Sequence, residues 1–161
     1  MTLAEAAAQA DGLEEQELAK LRAEWSEEVD AEVHNADYRR RAVAYRAIGQ
    51  MRFRQKVELL RRGVEDDSPA CRGSALVSLE SLSRDHPGVV NGMRPLLHNL
   101  ASHDPNGAVR RLAITCLKNG SPQRETIVLL AGLGQDDEQD QELRALATRV
   151  AALLKKRSDT R

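Results

Sequence analysis

Four times along the chain an apolar residue and an Arg are followed, three positions on, by Ala. The segments are Tyr38-Arg39-x-x-Ala42, Cys71-Arg72-x-x-Ala75, Val109-Arg110-x-x-Ala113 and Leu143-Arg144-x-x-Ala147, so the Arg-to-Arg spacings are 33, 38 and 34 residues. Self-similarity at that period is the mark of small supersecondary units, each unable to bury its apolar face alone. It predicts a stack of helical units rather than a single closed core.

Composition supports helices. Apolar residues make up 41% of the 161 and aromatics only 2%, with Ala, Leu, Glu and Arg abundant. Those residues lose little side-chain freedom in a helix. Units of about 35 residues give roughly four, above the three or so that a stable stack needs. There is no apolar run long enough to span a bilayer. The start, Met1-Thr2-Leu3-Ala4-Glu5, has no basic segment and no long apolar stretch, so no signal peptide is expected. Cys71 and Cys116 fall inside apolar helical patterns and read as buried, reduced thiols of a cytoplasmic protein.

Along the chain, Thr2-x-x-Glu5 has the form of a capping box. Asp11-Gly12 interrupts the helix it opens. Leu18, Leu21, Trp25 and Val29 then form one apolar stripe on a helix running from Leu13 to about Val33, whose other face is acidic. Unit one pairs a helix near 37–48 with one near 51–63. Ser68-Pro69 opens a helix that runs to about Arg84. The next carries Val89, Val90, Met93, Leu97 and Leu100, and Pro95 must sit in its first turn or kink it. Asp104-Pro105 and Ser121-Pro122 read as two further helix starts. The last helix buries Leu143, Leu146, Val150, Leu153 and Leu154. No strand pattern competes.

The segment Asp104-Pro105-Asn106-Gly107-Ala108-Val109-Arg110-Arg111-Leu112-Ala113 is similar to the Asp-Pro-x-x-x-Val-Arg-x-x-Ala signature of HEAT repeats. Over roughly residues 37–156 the chain resembles the short bacterial type of that family. The resemblance implies an all-α, right-handed α-solenoid of stacked helix pairs. Residues 1–36 would form an acidic N-terminal helical extension, and the units would occupy 37–64, 65–102, 103–134 and 135–157. It also implies a structural ladder, in which each repeat Arg bridges an acid at a neighbouring turn. Arg39, Arg72, Arg110 and Arg144 are the bases, and Asp66, Asp104 and Glu138 stand six residues before the last three. Unit one departs, with Val33 in the acid's place. Tetratricopeptide and ankyrin patterns fit less well.

The chain shows little catalytic chemistry. His34, His86, His98 and His103 form no His-Glu pair, the mark of iron hydroxylases built on this repeat. No phosphate loop, nucleophile elbow or metal-ligand spacing occurs. The acids Asp136, Asp137, Glu138 and Asp140 lack the order of a calcium loop and read as a solvated turn. No cofactor or metal is expected. The family also contains bilin lyases and DNA glycosylases, but base recognition by stacking needs more aromatics than this chain has.

Charge is where function is most legible. The net charge is −1, but residues 1–36 carry ten acids and two bases, while residues 37–62 carry nine bases and two acids. In a HEAT solenoid the second helices usually line the concave face. That places Arg52, Arg54, Lys56, Arg61 and Arg62 on a candidate partner surface, extended by Arg94, His98 and Arg124 on later helices. Three readings stand side by side. The band is a solvated face with internal pairs such as Arg54–Glu58, or the acidic helix packs near it, or it binds an acidic partner. Among partners, low overall charge and few aromatics favour a protein with an acidic or amphipathic segment over nucleic acid. The chain therefore reads as a cytoplasmic, non-catalytic interaction scaffold or adaptor, with a nucleic-acid-binding module as the alternative.

Overall fold

The computed structural model describes residues 1–160 and is all-helical, with 74% of residues in helices and no strand among those described. The helices are α1 (Leu3–Gln9), α2 (Glu15–Glu32), α3 (Tyr38–Gln50), α4 (Val57–Gly63), α5 (Pro69–Ser83), α6 (Gly88–Asn91), α7 (Arg94–His103), α8 (Gly107–Leu117), α9 (Arg124–Gln135) and α10 (Gln141–Asp159). A single 3₁₀ turn, Arg54–Lys56, precedes α4. The chain divides into two compact units, Met1–Leu82 and Ser83–Arg161.

In unit 1 the Thr2/Glu5 capping box forms in both directions, at 3.2 and 2.9 Å. Gly12 turns the chain at a positive φ of 88°, where a side chain would be strained. α2 then lays its stripe inward. Leu18, Trp25, Val29 and Val33 are buried, and both α1 and α2 pack on α3. This acidic helix is thus part of the unit's core. Burying four such side chains stabilises the unit by several kcal/mol, at about 1.5–3 kcal/mol each.

α3 and α5 approach very closely. A Cβ on Gly49 would lie 2.6 Å from the Ser78 Cα, so only glycine fits. The Ser78 hydroxyl uses that proximity, accepting from the Gly49 N–H at 2.9 Å and donating to the Tyr45 carbonyl at 2.6 Å.

The expected helix near 51–63 begins later. After Met51 the chain enters the left-handed region at Arg52 (φ 56°). The Phe53 N–H then reaches back to Ile48 O at 2.9 Å, and the Arg52 N–H to Gly49 O at 3.1 Å. These are the two bonds of a Schellman stop, with Ile48 and Phe53 as its fully buried apolar pair. A residue with positive φ cannot continue an α-helix, so α4 starts only at Val57.

Unit 2 shows a similar interruption. The helix expected over Val89–Leu100 breaks at Gly92-Met93 into α6 and α7, with Pro95 in the first turn of α7, where its missing N–H costs nothing. Two helix starts shift as well. Asp104 accepts from the Asn106 N–H at 2.9 Å in a side-chain turn, and Asn106 is the residue that caps α8, through the Val109 N–H at 3.1 Å. Ser121-Pro122 is followed by extended Gln123, and α9 opens at Arg124. α7 packs on α8, and α10 packs on α8 and α9.

A candidate interaction surface

The repeat arginines find more than one kind of partner. Arg39 pairs with Asp37, the N-cap of its own helix, on the exposed surface. The bridge to the next turn belongs to Arg41, whose Nε and Nη2 donate to the two Asp66 carboxylate oxygens at 2.9 and 3.0 Å. Arg41 Nη2 also reaches Asp67 at 3.2 Å, and its Nη1 donates to the Asn35 and Ala36 carbonyls. The Asp66 hydrogen bonds raise the Arg41 pKa. Burial pushes the Asp66 carboxyl up, but the bonds from Arg41 and the Ser68 N–H outweigh it and hold the group below the usual carboxylate range.

The other three repeat arginines donate to backbone carbonyls of the preceding turn. Arg72 bonds Asp66 O at 2.9 Å, Arg110 bonds Ala101 O at 2.9 Å and Arg144 bonds Gly134 O at 3.4 Å. Ala101 and Gly134 lie in the last turns of α7 and α9, where carbonyls have no intrahelical partner and a guanidinium is well suited to satisfy them. Arg144 also pairs with Asp137 rather than Glu138. Arg22 at Met51 O and Arg157 at Lys118 O repeat the same device.

The basic band is largely committed to acids within unit 1. Arg40 pairs with Glu32, Lys56 with Asp30 at 2.6 Å, and Arg61 with Glu58 at 3.1 Å. Lys56 is therefore removed from the expected partner surface. Its side chain is only 8% exposed and lies over the Phe53 ring, its nitrogen 5.2 Å from the centroid. The expected Arg54–Glu58 pair is replaced by Arg61–Glu58, because Arg54 lies on the 3₁₀ turn and the α-helical register starts after it. Arg46, Arg52, Arg54 and Arg62 remain exposed.

In unit 2, Arg124 is exposed at the start of α9, but Arg94 and His98 face inward. The Arg94 guanidinium meets only neutral acceptors, namely Thr126 Oγ1 at 3.2 Å, Ser121 Oγ at 3.1 Å, Ser121 O and Asn91 Oδ1. His98 Nε2 shares the Thr126 hydroxyl at 2.8 Å. Burial lowers the pKa of both groups, and for His98 the Arg94 charge adds to this while Glu125 opposes it. Both residues therefore belong to an internal polar cluster, which corrects the expectation that they extend a binding face.

One feature of unit 1 was not anticipated. A cleft of about 730 Å³ opens between the α2–α3 turn, α4 and the α4–α5 turn. Its lining includes His34, Arg41, Arg61, Arg62, Glu65 and Asp66. Sequence reasoning placed Arg61 and Arg62 on a surface, but His34 and Glu65 carried no periodic signal. Among the described residues no cluster of three His, Cys, Asp or Glu side chains is arranged to hold a metal ion, and no helix is long and apolar enough to cross a membrane. The chain matches no family model and no curated protein.

Proposed function

We propose that the helix pairs stack as a HEAT-like α-solenoid and that the protein acts as a non-catalytic interaction scaffold or adaptor in the cytoplasm. The observation that carries the choice of a protein partner is the internal neutralisation of the basic band. Of its nine bases, Arg39, Arg40, Arg41, Lys56 and Arg61 have carboxylate partners. A phosphate-binding face needs several free cations along one track. What remains suits a mixed-charge protein surface better. The two cysteines are buried free thiols, in keeping with a reducing compartment.

The test is affinity capture from lysate, split into nuclease-treated and untreated halves, with wild type beside an Arg54→Glu/Arg62→Glu variant. The proposal expects a protein partner that survives nuclease and is lost with the variant. Recovery of nucleic acid, or of proteins only in the untreated half, would favour the nucleic-acid-binding alternative.

A further inference from the structure

Five large apolar side chains are exposed among the described residues, namely Met1, Tyr38, Val43, Val128 and Leu153. Two of them, Met1 and Val43, border a single groove of about 560 Å³ between α1, α2 and α3, which the buried Leu3 also lines. The charges around it are not balanced. Arg40 is held by Glu32, and Arg39 by Asp37. Glu28 lines the groove, is exposed and makes no ion pair among the described residues. Glu24 and Glu17 stand four and eleven residues earlier on the same face of α2, and they too are exposed and unpaired. The groove therefore calls for an apolar side chain flanked by bases.

The chain carries that pattern on α10. Leu153 is 41% exposed, while Leu143, Val150 and Leu154 are buried on the opposite side of the helix. Arg149 stands four residues before Leu153, Ala152 beside it and Lys156 three residues after it, so the four share one helical face. Arg149 and Lys156 are exposed and make no ion pair among the described residues. Arg157 anchors the last turns through Lys118 O, which holds this face in helical form. Apolar surface thus has an apolar counterpart, and free acids have free bases, on two elements of the same chain.

We infer that α10 of one copy docks into the α1–α2–α3 groove of a second copy. Leu153 and Ala152 enter against Met1, Leu3 and Val43, and Arg149 and Lys156 meet Glu28 and Glu24. Apolar burial supplies most of the affinity, and the exposed ion pairs set orientation and make the contact sensitive to salt. The two surfaces differ, so after one contact forms one copy keeps a free groove and the other a free α10. These can close on each other or recruit a further copy. The inference goes beyond the adaptor reading and is tested on the purified chain, so its failure leaves that reading to the nuclease-split capture.

Sedimentation velocity of the full chain, from about 10 µM to 1 mM, tests it. The mean mass should rise with concentration and fall back toward the monomer in about 0.5 M salt. Val43→Glu spoils only the groove and Leu153→Glu only the helix face, so each variant should be monomeric alone. Mixed, they should form a 1:1 dimer through the intact groove of one and the intact α10 of the other. Glu28→Lys alone, or Lys156→Glu alone, should weaken association by about threefold to tenfold, and mixing these two should restore it. All four positions are exposed, and helical circular dichroism checks that the fold is kept. The charge pair decides independently should Val43→Glu disturb α3. A wild type that stays monomeric throughout would overturn the inference. Self-association of either apolar variant, or mixtures no stronger than their components, would place the contact elsewhere and overturn it as well.

Discussion

Arg41 in unit 1 and Arg94 in unit 2 both hold a guanidinium where water is scarce, but their partners differ in kind. Arg41 meets the carboxylates of Asp66 and Asp67, whereas Arg94 meets an amide, two hydroxyls and a carbonyl. The electrostatic result is opposite, with the pKa raised for Arg41 and lowered for Arg94. A charge matched by a charge fixes a turn against a helix and leaves a charged cleft beside it. A charge solvated only by neutral groups needs several oxygens converging on it and leaves nothing open to a partner. Unit 1 accordingly keeps an open charged cleft beside its bridge, and unit 2 uses its inward arginine as an internal strut.

The same contrast appears at two close contacts, and substitution there should give the largest effects. A Cβ on Gly49 would meet backbone, the Ser78 Cα at 2.6 Å, and neither helix can yield easily. A Cβ on Gly120 would meet the tip of Val90 at 2.8 Å and Asn91 Oδ1 at 3.2 Å, side-chain rather than backbone atoms. Gly49→Ala should therefore cost about 3 kcal/mol and Gly120→Ala about 1 kcal/mol, measured by urea unfolding. Equal costs would mean that the α3–α5 contact is softer than its geometry implies.

Asn91→Asp should turn the Arg94 arrangement into the Arg41 one. Asn91 Oδ1 already accepts from Arg94, the Ser121 N–H and the Ser121 hydroxyl. A carboxylate in that place would keep all three bonds and neutralise the inward charge. The expected gain in stability is about 1 kcal/mol, read from the same unfolding curves. A loss would show that the neutral cluster already satisfies Arg94 fully.

The units should also respond to acid in different windows. The His98 pKa is lowered in the folded state, so below the unfolded value of about 6.5 the unfolded chain binds more protons. Its contribution is whole above that pH and is lost as the pH falls toward the lower folded value. Asp66 is also lowered, so its contribution persists down to the unfolded carboxylate value of about 4 and disappears only as the pH drops through the folded one. Amide exchange at stepped pH should show unit 2 loosening first, and His98→Gln should abolish that early phase.

The smallest effect concerns Arg52. Glycine tolerates its positive φ without strain, so Arg52→Gly should stabilise unit 1 by about 0.5 kcal/mol. Destabilisation would mean that the Arg52 side chain makes up for its backbone strain.

Much of the helical content was readable from local chemistry, because Thr2/Glu5, Pro69 and Gly12 act through their nearest neighbours. The break at Arg52 was not, since arginine gives no hint of a left-handed stop. That stop is imposed by the burial of Phe53 against Ile48. Lys56, Arg94 and His98 misled for a related reason. A cationic side chain on an amphipathic helix reads as surface, and only the distant Asp30, Ser121 and Thr126 turn it inward. The buried Tyr45 hydroxyl, which has no hydrogen-bond partner, has no counterpart in sequence periodicity.

The central claim is that the basic band of unit 1 is not a polyanion-binding face. Titrating the full chain with a fluorescent duplex DNA across a range of salt concentrations tests it most directly. The account predicts weak binding with little salt dependence. Tight binding with a log–log slope near about −4 to −5, the release expected from roughly five phosphate contacts, would contradict it.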